Sequence, residues 1–166
     1  EFPTFRELYA TTFAALAEGA QGMTWYTYCG WGKNEGFAVR PEFRADTKTV
    51  ATRIKELIPV LTAPATDAQA TVTVLEGPAE DPLGQPSVTA LWKRTADATW
   101  LIAVNAAPAK VRATFALPAG TAASDAEVLW ENRRVTAAGG RLDETFGPFA
   151  VHVYRLGPRT VAVPMR

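Results

Sequence analysis

The hydrophobic period of this 166-residue chain changes once, and the change divides it into two kinds of structure. Before residues 62–67 (Thr-Ala-Pro-Ala-Thr-Asp), apolar side chains recur every three or four positions, the spacing of a buried helix face. After them the period falls to two, the spacing of strands with one face turned inward. Pro64 and its small neighbours interrupt both patterns, so the segment reads as a linker. The expected fold class is α+β: two helices and one strand over residues 1–64, followed by an antiparallel β-sandwich over residues 65–166.

In the first part, Thr4-Phe5-Arg6-Glu7 has capping-box form, a hydroxyl at the N-cap and a carboxylate three positions on. Phe5, Leu8, Tyr9, Thr12, Phe13 and Leu16 form one stripe behind it, and Gly19 supplies the stop. Residues 23–28 then read as a strand with bulky side chains on both faces, as expected of a strand covered on both sides. A glycine-rich loop runs from Gly30 to Glu42. A second helix is predicted from about Ala45, striped by Val50, Ile54, Leu57 and Leu61, with Pro59 disturbing its last turn. Helix, strand, loop and helix is the local order of a repeating α/β unit.

In the second part, residues 71–75, 88–93, 99–105, 111–117, 127–130 and 149–156 are predicted strands. Asp81-Pro82-Leu83-Gly84, Ala96-Asp97-Ala98 and Gly139-Gly140 separate them as turns. Trp92, Trp100 and Trp130 fall at strand positions and are expected to pack inside. His152 alternates with Val151 and Val153 and is expected on the outer face.

Composition narrows the function. With 48% apolar and 20% charged residues the chain is globular rather than disordered. Seventeen basic residues balance seventeen acidic ones, so no net field draws nucleic acid or an anionic membrane. No apolar run approaches the roughly 20 residues of a membrane span. Cys29, the only cysteine, excludes an internal disulfide and a cysteine-rich metal site, and leaves the compartment open. Neither Ser87 nor Ser124 sits in a nucleophile elbow, and Gly30-x-Gly32 lacks the rest of a nucleotide loop. No cofactor is expected.

The aromatics between residues 25 and 31 carry the binding chemistry. A sugar ring offers a flat C–H face that packs on an aromatic ring, while its hydroxyls need polar partners at the edge. Trp25, Tyr28 and Trp31 supply rings, and Glu35 a carboxylate on the same loop; these four are the candidate substrate-binding residues, with a carbohydrate as ligand. Glycosidic cleavage needs two carboxylates, about 5 Å apart for retention and wider for inversion. Glu7, Glu18, Asp46 and Glu56 lie on helices and Glu42 precedes one, which leaves Glu35 without a partner. No catalytic residue is assigned.

Residues 14–28 resemble the seventh helix and eighth strand of a TIM-barrel glycoside hydrolase, of the retaining superfamily that includes β-galactosidases and cellulases. Residues 53–61 resemble the eighth helix and its exit. Trp100-Leu101-Ile102-Ala103-Val104-Asn105 and residues 146–155 are similar to strands of the C-terminal sandwich of such enzymes. The resemblance implies a C-terminal fragment of a sugar-cleaving enzyme, inactive alone, with both catalytic glutamates upstream and Trp25 as a sugar-stacking residue. A non-catalytic carbohydrate-binding or structural module is the alternative. On this reading both helix stripes have lost the barrel that covered them. They are expected to pair with the parent barrel or with another copy, or to pack on the chain's own sandwich, association being the favoured outcome.

Overall fold

The computed structural model describes residues 3–25, 40–64, 70–121 and 125–157. Helix α1 spans Phe5–Ala17, and its capping box forms as the sequence predicts. The Thr4 backbone N–H donates to the Glu7 carboxylate at 2.7 Å, and the Glu7 N–H donates to the Thr4 hydroxyl at 3.3 Å. At the other end Ala20 N–H bonds the Ala15 carbonyl and Gly19 N–H the Leu16 carbonyl. This closure needs the left-handed backbone that Gly19 adopts at φ 97°. Helix α2 spans Pro41–Leu61, four residues earlier than expected. Pro41 takes the first helical position, where its missing N–H is no loss and its fixed φ suits the helix. Pro59 is carried within the last turn.

Eight strands follow: β1 Val72–Glu76, β2 Val88–Arg94, β3 Thr99–Asn105, β4 Val111–Ala116, β5 Asp125–Val128, β6 Arg133–Ala138, β7 Arg141–Phe146 and β8 Val151–Leu156. They form one sheet in the order β1-β4-β7-β6-β5-β8-β3-β2, antiparallel throughout. The expected antiparallel sandwich is met in part: its two faces are halves of one folded sheet. Strand β6 is shared: its residues 133–136 pair with β5, and only Ala137 and Ala138 pair with β7. Beyond those two pairs β6 and β7 part, and the sheet folds over on itself. The edge strands β1 and β2 approach each other, so the structure nearly closes like a barrel. The hairpin β6–β7, absent from the sequence prediction, is what makes the fold possible.

Of the strand expected at residues 23–28, residues 23–25 have no strand pairing, and 26–28 lie outside the described residues.

Two cores result. The interior of the folded sheet holds Trp92, Leu101, Ala103, Phe115, Leu142, Phe146, Tyr154 and Leu156, supplied by the strands alone. The outer face of β3 and β8 presents Ile102, Val104, Val151 and Val153, and the helices cover it with Leu8, Tyr9, Phe13, Val50, Leu57 and Val60. The stripes of α1 and α2 pack on the chain's own sheet, one of the expected outcomes. Burying a large aliphatic or aromatic side chain is worth roughly 1.5–3 kcal/mol, so this face rewards the helices for staying. Strand β3 is consequently buried on both sides. His152 lies on the opposite side from Val151 and Val153, its ring 4.9 Å from that of Phe146, which corrects its expected outward placement. Among the described residues no helix is long and apolar enough to cross a membrane.

Candidate functional site

Of the four sequence-predicted site residues, the described structure includes Trp25. Its indole N–H points back to the Thr12 hydroxyl of α1 at 3.4 Å, and the half-buried ring packs on the helix–sheet core. Thr12 is buried, so this contact gives its hydroxyl a partner. Tyr28, Trp31 and Glu35 lie outside the described residues. The helix stop at Gly19 sends the chain past a cleft of about 750 Å³ between the end of α1, the outer half of α2 and β2. Leu16, Met23, Ile54, Ile58 and Leu91 make this cleft largely apolar. Lys93, also on its wall, donates to the Ala63 carbonyl at 2.9 Å. Its described walls carry no carboxylate.

The densest polar cluster lies where β6 and β7 part. Arg133 donates to Glu131 and to Glu144, both at 2.7 Å, and Tyr154 donates to the same Glu144 oxygen at 3.1 Å. The second Glu131 oxygen meets His152 Nδ1, which also lies 3.4 Å from the Arg133 guanidinium. Burial works against the Arg133 charge, but the hydrogen bonds and charges of Glu131 and Glu144 outweigh it and hold the guanidinium above its ordinary pKa. Burial, reinforced by the Glu144 charge, pushes Tyr154 well above the ordinary tyrosine value. Two carboxylates do meet here, but a guanidinium stands between them and engages both. That is the chemistry of a brace across the opened hairpin, with neither carboxylate left to protonate a leaving group.

A second polar junction joins the helices to the β5–β6 turn, residues 129–132. The Arg53 guanidinium sits 4.9 Å from the ring centroids of both Tyr9 and Trp130. The Trp130 indole N–H donates to Glu56 at 2.8 Å. Burial raises the Tyr9 pKa, partly offset by a hydrogen bond with Arg53. Trp130 has φ 63° and is 36% exposed, in contrast to the interior place expected for it. Trp92 is interior as expected, and half-buried Trp100 packs on the helix-covered face. Sequence reasoning missed this junction because β5 was extended to residue 130, whereas the strand ends at Val128. Asn132, a residue tolerant of the left-handed conformation it adopts at φ 49°, was the available sign of a turn.

No protein-family model matches the sequence, and no curated protein matches it. Similar folds occur among solved structures of glycoside hydrolases. An α-amylase from Geobacillus thermoleovorans, complexed with acarbose, is similar over 95% of this chain and 34% of its own, with TM-score 0.59 and 16% identity. AmyP in complex with maltose is similar over 96% of this chain and 36% of its own, with TM-score 0.52 and 11% identity. A second AmyP structure, with maltotriose, gives TM-score 0.51 at 11% identity, over 91% of this chain and 35% of its own. The chain thus spans about a third of the length of these enzymes. At such identities the likeness is one of fold. The chain shares the fold of the C-terminal region of these glycoside-hydrolase structures.

Proposed function

We propose that this chain is the C-terminal part of a carbohydrate-degrading glycoside hydrolase and does not cleave glycosides by itself. The observation that carries the reading is coverage. A third of a saccharide-bound enzyme accounts for nearly all of this chain, helices and sheet together. The acarbose and maltose bound to those neighbours point to α-linked glucans as the substrate class of the parent enzyme. Two catalytic carboxylates would come from the barrel that precedes α1, and that barrel is the proposed partner. The described carboxylates support this division, since Glu131 and Glu144 are both engaged by Arg133. Trp25, with Tyr28, Trp31 and Glu35 further along the sequence, would offer stacking faces and a polar edge to sugar reaching the barrel mouth.

Two measurements test this. The reading frame upstream of Pro3 should encode barrel strands, one ending in a catalytic carboxylate; a stop codon there would defeat the fragment reading. The purified chain should show no turnover of aryl glucosides or maltohexaose. Turnover that Glu35→Gln abolishes, in a preparation free of host enzyme, would assign catalysis to this chain instead.

A further inference from the structure

We propose that Trp130, framed by Arg53, Glu56 and Asn132, is a saccharide-binding subsite on the β5–β6 turn, separate from the Trp25 loop. The proposal rests on the carbohydrate reading above and adds a site to it.

The backbone is the first observation. A bulky aromatic residue at φ 63° is an outlier, since the left-handed region costs a residue with a Cβ about 1–2 kcal/mol and glycine or asparagine would relieve it. Such strain persists where the surroundings enforce it, and it collects at binding sites. Here the enforcement is visible: Glu56 holds the indole N–H at 2.8 Å, and Arg53, stacked in turn on Tyr9, covers one ring face at 4.9 Å.

The second observation is what this strain leaves in place. The indole is 36% exposed while Trp92 is 1% exposed, so the chain buries a tryptophan where packing is the purpose. At residue 130 the single donor is engaged by Glu56 and the ring is backed by Arg53, so a partly exposed indole is held in place with no free polar group. Arg53 lies beneath the ring, the second carboxylate oxygen of Glu56 at its edge, and exposed Asn132 two residues along the turn. An apolar platform rimmed by a guanidinium, a carboxylate and an amide matches a pyranose, whose C–H face is apolar and whose equatorial hydroxyls both donate and accept. Opposite charges at the rim favour a neutral sugar over an anionic one.

The full chain, labelled with 15N, tests the proposal by titration with maltohexaose and, separately, cellohexaose. The Trp130 indole N–H signal, identified by its loss in Trp130→Gly, should shift on titration with at least one of them. Trp130→Gly, which also removes the backbone strain, should weaken binding about tenfold or more. Trp130→Tyr keeps a stacking face and should bind within about threefold of the parent chain. A wild-type indole signal that neither sugar moves would overturn the subsite. So would a folded Trp130→Gly chain that binds as tightly as its parent. In that second case loss of binding in Trp25→Ala would keep the carbohydrate reading and move the contact to the Trp25 loop.

Discussion

The Tyr154 hydroxyl donates to Glu144 at 3.1 Å, joining the central strand β8 to β7 across the interior of the folded sheet. The same carboxylate oxygen accepts from Arg133 of β6 at 2.7 Å. Side chains therefore complete the connection between β6 and β7 where their backbone pairing stops after two residue pairs.

Removing either partner has unequal consequences. Tyr154→Phe loses one hydrogen bond and should cost about 1 kcal/mol. Glu144→Ala leaves both the phenol and the guanidinium without their acceptor. It should cost about 2 kcal/mol, less than a fully buried ion pair because Arg133 is partly solvated. Urea unfolding of the two variants checks the order; equal losses would mean that Arg133 finds another acceptor.

Alkaline titration should separate the tyrosines. Tyr9 and Tyr154 are raised above the ordinary value of 10.0, in both cases chiefly by burial. A raised pKa in the folded state means that folding favours the neutral phenol. The stabilisation is complete below pH 10.0 and is lost as pH rises through the folded values. Absorbance at alkaline pH should show Tyr9 and Tyr154 ionising late, together with loss of structure. Loss of the late phase in a Tyr9→Phe, Tyr154→Phe double variant would confirm the assignment.

Two glycines with similar backbone angles should respond differently to a methyl group. At Gly19, φ 97°, an added Cβ meets nothing within 4 Å, so Gly19→Ala should cost only the left-handed conformation, about 1–2 kcal/mol. At Gly77, φ 94°, the Cβ would stand 2.5 Å from the Lys110 carbonyl oxygen, and backbone must move. Gly77→Ala should lower the thermal midpoint distinctly more than Gly19→Ala; equal shifts would mean that the start of β4 yields easily.

A shortened chain beginning at Ala65 should still melt cooperatively, because its interior is supplied by strands alone. It should melt at lower temperature and bind a hydrophobic dye, since Ile102, Val104, Val151 and Val153 lose the cover of α1 and α2. A broad transition would show that the two cores are one cooperative unit.

What the sequence revealed depended on how local the cause was. The capping box at Thr4 and the stop at Gly19 are set within a few residues, and both form as read. Pro41 was taken for loop because the apolar stripe begins only later, although a proline can open a helix. Strands β6 and β7 escaped because charged residues interrupt the apolar alternation over Arg133–Phe146, although Gly139-Gly140 between them reads as a turn. The Trp130 junction could not be seen at all. Its partner Glu56 is 74 positions away, and only the fold brings the two together.

The place of β8 has a consequence for how the chain is made. This strand is the last of the eight to leave the ribosome, yet it sits between β3 and β5 and carries Val151 and Val153, which α1 and α2 help to cover. Until residue 156 emerges, β3 and β5 have no shared neighbour and the helices have only half of their seat. From the emergence of α1 until that of β8, the nascent chain therefore holds the apolar faces of α1, α2 and β3 open, and the order of translation makes it a natural client for a chaperone that binds such faces.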